Sequence, residues 1–212
     1  MIATKICGIT NDLDAKLAIS MGASALGFIF YKKSPRYIDI KAAKMITRNN
    51  YNSKFIGVFV DEDSEYIKKV IEEVELHGIQ LHGNESSQRC SDIKKLFDLP
   101  VIKAFGINSA LDLNAAAHYE NVVDYFLFDA KPDIKNIKQK GGLNKVFNWK
   151  ILDNWKGKEF FLAGGININN IKSAINDTNA FCIDISSGVE KALGIKDSNM
   201  IKEIYTEFKA LL

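Results

Sequence analysis

Phe160-Phe161-Leu162-Ala163-Gly164-Gly165-Ile166-Asn167 and, one helical segment later, Phe181-Cys182-Ile183-Asp184-Ile185-Ser186-Ser187-Gly188-Val189-Glu190 decide how the whole chain is read. An apolar run of strand length, Phe160 to Ala163, stops at a glycine pair. Asn167 is placed to cap a helix in which Ile168, Ile171, Ala174 and Ile175 share one face. A second strand, Phe181 to Ile185, stops at Ser186-Ser187-Gly188. Glycine lets backbone N–H groups come close to a ligand, serine hydroxyls add donors, and helix N-termini starting at both turns would add partial positive charge. Either turn alone reads more readily as a tight strand–helix connection or an ordinary cap. Two of them, on consecutive strands, suit a phosphate monoester.

The same alternation extends in both directions. Lys5 to Gly8 closes a first short strand, and Asn11 caps a helix with Leu13, Leu17 and Met21 on one face, ended by Gly22. Further strands are expected at Ala25–Phe30, Phe55–Val60, Gly78–Leu81, Val101–Ala104 and Asp124–Phe128. Between them lie a helix from Ile40 to Thr47, one with Ile67, Val70, Ile71 and Val74 inward, and one with Cys90, Ile93, Leu96 and Phe97 inward. An alanine-rich helix begins at Ser109, and a last helix carries Ile201, Ile204, Tyr205 and Phe208. Short apolar strands alternating with amphipathic helices mean a parallel sheet covered by helices. Eight such units suit closure, and the first turn, Cys7-Gly8-Ile9-Thr10, lacks the glycine pattern of an open dinucleotide-binding sheet. The expected fold is α/β, a single parallel eight-stranded (β/α)8 TIM barrel occupying residues 1–212 as one domain.

Composition excludes more than it assigns. The chain is 47% apolar and 25% charged with a formal charge of +2, and no basic helix or aromatic-interleaved basic strand points to nucleic acid. No run is long enough to span a bilayer, and the first residues lack the pattern of a secretory leader. Cys7, Cys90 and Cys182 are scattered, and with His77, His82 and His118 they show no metal-ligand spacing. A cytoplasmic protein with neither metal nor cofactor is expected, acting on a small molecule without nucleic acid or membrane, as a monomer or homodimer.

In such a barrel chemistry gathers where strands end. Cys7 stands at the end of the first strand; it is either a small buried hydrophobe or a mouth thiol given thiolate character by a cation. Asp129 follows the apolar Tyr125-Phe126-Leu127-Phe128, where desolvation would favour its protonated form and suit a general acid; the alternative is a cap or an ion pair with Lys131. Asp184 lies one residue deeper and can orient another group. Arg36, after Ser34-Pro35, offers planar recognition of a carboxylate, or is an exposed loop residue. His82 reads as a base, a substrate donor or a structural histidine. The Lys131–Lys145 loop, with Gly141-Gly142, suits attraction of an anion and movement as a lid. A phosphate grip, a thiol, a carboxylic acid and an arginine together suit proton transfer on a sugar phosphate.

Six motifs, in order along the chain, resemble the markers of the phosphoribosylanthranilate isomerase family. They are Lys5-Ile6-Cys7-Gly8-Ile9-Thr10, Ala25–Phe30 with Ser34-Pro35-Arg36-Tyr37-Ile38, Gln80-Leu81-His82-Gly83, Phe128-Asp129-Ala130, Leu162-Ala163-Gly164-Gly165-Ile166, and Asp184–Glu190. The resemblance implies a cofactor-free Amadori rearrangement in tryptophan biosynthesis. N-(5-phosphoribosyl)anthranilate would become 1-(2-carboxyphenylamino)-1-deoxyribulose 5-phosphate, with Asp129 as general acid and Cys7 as general base. Arg36 would hold the anthranilate carboxylate, and Gly164, Gly165, Ser186 and Ser187 the phosphate. His82, Asp184 and Gly188 complete the expected substrate-binding set. The chain departs from the usual pattern at Leu143-Asn144, Asn148 and Leu193, which implies altered lid closure or substrate ordering. Another aldose–ketose isomerase and a non-catalytic phosphate-ligand binder are the competing readings.

Overall fold

The computed structural model describes residues 2–50, 52–131 and 146–211. Eight parallel strands form a closed barrel in chain order. They are β1 (Ala3–Cys7), β2 (Ala25–Ile29), β3 (Phe55–Phe59), β4 (Gly78–Leu81), β5 (Val101–Ile107), β6 (Tyr125–Ala130), β7 (Phe160–Leu162) and β8 (Cys182–Ile185). The barrel closes where β1 pairs with β8, with Lys5 opposite Asp184, while on its other edge Cys7 lies opposite Gly27 of β2. Helices α1 (Asp12–Met21), α2 (Ile40–Asn49), α3 (Ser64–Glu73), α4 (Ser87–Phe97), α5 (Ala110–Ala117), α6 (Ile171–Asn176) and α7 (Ser198–Ala210) follow the strands. A short 3-10 turn, Trp149–Leu152, precedes β7. Another, Ser187–Val189, leads from β8 into a hairpin of β9 (Glu190–Ala192) and β10 (Ile195–Lys196).

Alternation along the strands sorts side chains into two cores. Outward residues such as Ile6, Phe28, Phe55, Phe126 and Leu162 pack against the helices. Inward residues Ile56, Ile102, Ala104, Leu127, Phe161, Ala163 and Cys182 fill the lumen as an apolar plug. Lys5, Gln80 and Asp184 are buried among these otherwise apolar strands, and two residues further along their own strands stand Cys7 and His82. The lumen is therefore apolar, then polar, then open at the carboxyl ends of the strands.

Several expected boundaries and faces move. β5 continues to Ile107 and β6 to Ala130, so Asp129 is part of a strand rather than following one. In α1 the buried residues are Ala15 and Ala18, while Leu13 is 80% exposed. Leu17 and Met21 pack half-buried against the core beside these alanines, so of the expected stripe Leu13 alone points to solvent. In α4 Cys90 and Ile93 are buried and Phe97 packs half-buried against the core, while Leu96, at the edge of the stripe, is 58% exposed. Asn167 does not cap a helix. Its side chain bonds the Asn169 N–H and the Gly165 carbonyl within a turn, and α6 begins only at Ile171, with Asn170 at its N-cap position. Helix dipoles therefore do not start at the glycine pair. α7 buries Ile201, Ile204, Tyr205 and Phe208 as its spacing predicts.

One buried ion pair secures the loop after β4. Lys103, on the outer side of β5, lies 3.1 Å from Glu85 and donates to the carbonyls of Gly83 at 2.8 Å and Ala104 at 2.9 Å. Glu85 in turn accepts from the N–H groups of Asp61 and Gly83. Replacing Lys103 by Met would strand a buried carboxylate, so Lys103→Met should lose about 3–5 kcal/mol of unfolding free energy in urea titration. A change below about 0.5 kcal/mol, the range of ordinary surface substitutions, would show that the pair does not hold the loop.

Candidate active site

The mouth is built from strand ends. Cys7 is the last residue of β1 and 6% exposed, and its carbonyl accepts a 3.0 Å hydrogen bond from the Ser186 hydroxyl, tying the ends of β1 and β8 together. Gly8 follows at φ 77°, and a Cβ there would sit 2.6 Å from Cδ of Arg36. The Arg36 stem thus lies over the backbone next to the cysteine. Burial pushes the Cys7 thiol above its ordinary value of 9.0; the Lys5 charge opposes this, Asp184 adds to it, and Lys196 opposes it again. Burial wins. The expected gain of thiolate character from a nearby cation is present as an influence but not as the net result.

Beneath Cys7, Lys5 is fully buried and donates to Asp184 Oδ2 at 2.7 Å and to Gln80 Oε1 at 2.9 Å. Burial alone would lower its pKa, but Asp184 and then Cys7 hold the ammonium above the ordinary lysine value. Gln80 Nε2 lies 2.8 Å from His82 Nδ1, and His82 Nε2 lies 3.6 Å from Asp129 Oδ2. A polar chain therefore runs from Asp184 through Lys5, Gln80 and His82 to Asp129. Asp129 is not desolvated by its apolar strand: its side chain is 33% exposed and faces His82. Nor does it pair with Lys131, which instead binds Asp112 at 3.1 Å. Gly164, at φ 90°, gives the Asp129 carboxyl group room, since a Cβ there would stand 2.8 Å from Asp129 Oδ1.

The two donor-rich turns meet. A Cβ on Gly188 would collide with the Ile166 carbonyl oxygen, so the loops after β7 and β8 are in backbone contact. Gly165 is also left-handed, at φ 66°. Ser186 spends its hydroxyl hydrogen on Cys7, while Ser187 opens the 3-10 turn. Among the described residues no acceptor takes the N–H of Gly165 or Ser187.

Arg36 is engaged rather than exposed. Its Nε and Nη2 form a two-pronged pair with Glu190, each at 2.7 Å. Glu190 also accepts from Lys196 at 2.9 Å, and Lys196 donates to the Ser186 carbonyl at 3.0 Å. Burial acts to raise the Glu190 pKa, but the Arg36 and Lys196 contacts hold it below the ordinary carboxylate value. Lys5, Gln80, Glu190 and Lys196 were given no role by the sequence reading. A usable signal existed for Lys5, a lysine in an apolar strand two residues before Cys7 and so on the same face. Glu190 closes the last of the quoted motifs, but its partner Arg36 lies 154 residues away, and Lys196, bonded to nearby Glu190 and Ser186, reads as a solvated hairpin lysine. His77 accepts from the Phe55 N–H and His118 is exposed at the end of α5, as surface and loop residues. Gly141-Gly142, expected to act in a lid, and the departures at Leu143-Asn144 lie outside the described residues, as do Lys135, Lys138, Lys140 and Lys145. Asn148 bonds the Lys150 N–H and so caps the Trp149–Leu152 turn.

Comparison with known proteins gives this arrangement a family. The sequence pattern of N-(5'-phosphoribosyl)anthranilate (PRA) isomerase matches residues 4–207. The N-(5'-phosphoribosyl)anthranilate isomerase of Rhodopseudomonas palustris (strain TIE-1) is 36% identical over 208 residues, covering 97% of each chain. The crystal structure of phosphoribosyl anthranilate isomerase from Thermotoga maritima is 37% identical and superposes with a TM-score of 0.88 over 100% of both chains. A phosphoribosyl anthranilate isomerase in complex with reduced 1-(o-carboxyphenylamino)-1-deoxyribulose 5-phosphate is 35% identical, with a TM-score of 0.85 over 100% of both chains. With its eight-stranded closed barrel and this match along nearly its whole length, the chain belongs to the N-(5'-phosphoribosyl)anthranilate isomerase family.

Proposed function

We propose that residues 1–212 form one isomerase domain. It converts N-(5-phosphoribosyl)anthranilate to 1-(2-carboxyphenylamino)-1-deoxyribulose 5-phosphate in tryptophan biosynthesis, with Asp129 as general acid and Cys7 as general base. The observation that carries the reading is that a thiol and a carboxyl group share one barrel mouth, with a polar row of Lys5, Gln80 and His82 lying between them. Asp129 gives a proton to the furanose ring oxygen as the C1–O bond breaks, and the anilino nitrogen lone pair forms the Schiff base. Cys7, as thiolate, takes the C2 proton; the C–H electrons form the C1–C2 double bond and neutralise the iminium. The resulting enolamine takes a proton at C1 and gives up its C2 hydroxyl proton, leaving the ketone. No electrons are gained or lost, so the step needs no redox cofactor.

The mouth has donors suited to both anions of the substrate. The glycine pair and Ser187 present N–H groups to the phosphate. Arg36, steadied by Glu190 through Nε and Nη2, keeps Nη1 for the anthranilate carboxylate. His82 and Asp184 line the space between. Asp184 Oδ1 is buried and unpartnered among the described residues, which suits a ribose hydroxyl. We place the protein in the cytoplasm as a monomer or homodimer; no described helix is long and apolar enough to cross a membrane.

Purified protein should accelerate the loss of phosphoribosylanthranilate fluorescence when the substrate is generated in situ from anthranilate and phosphoribosyl pyrophosphate. Cys7→Ala and Asp129→Asn should each lower turnover on the order of 10²–10⁴-fold, the usual span for loss of a general acid or base. Near-normal turnover in either variant would remove that assignment. Arg36→Ala should raise KM for the carboxylate substrate and not for its analogue lacking that group. An equal rise with both would place Arg36 outside the carboxylate site. Because burial raises the Cys7 thiol, its thiolate fraction grows only as pH rises, so site-resolved alkylation of Cys7 by iodoacetamide should titrate with a midpoint above 9.0. A midpoint below that value would mean that the neighbouring lysines outweigh burial.

A further inference from the structure

The mechanism above leaves a buried cation unexplained. Lys5 is fully enclosed in the barrel lumen, where an ammonium is costly to keep unless it is paired and hydrogen-bonded. Its side chain and that of Cys7 project from the same face of β1. Both rest on Gly27 of the neighbouring strand: a Cβ at that position would stand 2.7 Å from Cys7 Sγ and 3.1 Å from Lys5 Cε. The thiol and the end of the lysine stem are thus side by side over a residue that has no side chain to separate them. Of the three ammonium hydrogens, one is given to Asp184 and one to Gln80.

The contact with Gln80 carries information further. An ammonium only donates, so the Gln80 atom facing Lys5 must be the carbonyl oxygen. The amide nitrogen then faces His82 Nδ1 and donates to it. A neutral His82 must consequently carry its proton on Nε2, the atom 3.6 Å from Asp129. One donor-only group sets an amide orientation and a tautomer in turn.

We propose that Lys5 is a positioning residue for both members of the acid–base pair. Its ammonium is the counter-charge beside which the Cys7 thiolate forms, and through Gln80 it fixes the His82 tautomer that faces Asp129. The idea rests on the reading of Cys7 as base and Asp129 as acid. The charged groups around Cys7 are Lys5 on its own strand, Asp184 on β8 and Lys196 on β10, with Arg36 packed over the adjacent Gly8. Lys196 and Arg36 are both tied to Glu190, and Asp184 to Lys5. Lys5 is the cation with the largest influence on the thiol, ahead of Lys196.

The test follows the thiol itself, not turnover. Alkylation of Cys7 by iodoacetamide is measured across pH, resolved by peptide mass spectrometry from Cys90 and Cys182. It is done in the native chain, in Lys5→Met, and in Lys5→Met/Asp184→Asn, where no buried charge is left without its partner. Both variants should titrate at higher pH, with alkylation below the midpoint slowed on the order of tenfold, equivalent to about one pH unit. The double variant should shift less than the single one, because Asp184 acts on the thiol in the opposite sense. Nitrogen-15 spectra at mildly alkaline pH should show the native His82 protonated at Nε2. Gln80→Leu should release that preference while leaving the Cys7 profile in place. Cys7 profiles unchanged in both folded Lys5 variants would overturn the counter-charge, and a native His82 protonated at Nδ1 would overturn the relay. Full turnover by Cys7→Ala would instead remove the base assignment, and the alkylation shifts would still report on Lys5.

Discussion

The pairing of Lys5 with Asp184 sits on the seam where the barrel closes, and much of the mouth depends on it. The two residues are opposite one another in the β1–β8 register and 2.7 Å apart at their charged ends. Neither charge would be tolerated singly at that depth, and breaking such a pair from one side typically costs about 3–5 kcal/mol. A slip of one residue in β1 would turn Lys5 outward into the apolar layer between barrel and helices, and would leave Asp184 alone. The ion pair therefore specifies the closing register more sharply than the apolar residues around it, which would tolerate neighbouring alternatives.

From that seam the site is assembled upward. Cys7 is delivered to the mouth because it stands two residues beyond Lys5, and Ser186 reaches it because it stands two beyond Asp184. Backbone contact between the Gly188 and Ile166 loops brings the two donor-rich turns together, and Gly164 leaves space for the Asp129 carboxylate. The β9–β10 hairpin has no counterpart in the plain strand–helix repeat. Its contribution is Glu190 and Lys196, which hold Arg36 against the strand end and anchor Ser186. Removal of side chains at Gly8, Gly27, Gly164 and Gly188 is thus as much a part of the site as the functional groups themselves.

This distribution explains what could be read from the chain. Strand positions were legible because each strand is a short apolar run with a turn at its end, and the count of eight followed from their alternation. The residues at strand termini were legible because the barrel gathers them at one face. Leu13 and Leu96 misled because helical spacing identifies a stripe but not which edge of it a small residue such as Ala15 brings closest. The environment of Asp129 was misjudged from its apolar neighbours in sequence, whereas the group it meets, His82, comes from another strand. Glu190 and Lys196 were invisible for the same reason: a charged pair on a hairpin reads as solvated surface until Arg36 is folded against it. Local pattern specifies elements; partnerships between distant residues appear only with the fold.

The same geometry sets the opposing influences on the Cys7 thiol. Asp184 offsets Lys5, while Glu190 is shared between Lys196 and Arg36, so the groups around Cys7 include more cations than carboxylates. Burial nonetheless outweighs the cations, and the thiol is raised. A buried thiolate without that balance would be a persistent nucleophile and a target for oxidation. Keeping the Cys7 thiol in a dry pocket restrains that reactivity, while an ammonium over the same glycine supplies attraction at short range when the proton leaves. The opposing influences of Lys5 and Asp184 on one sulfur are thus two parts of a single device: the carboxylate makes the buried lysine tolerable, and the lysine makes the thiolate attainable.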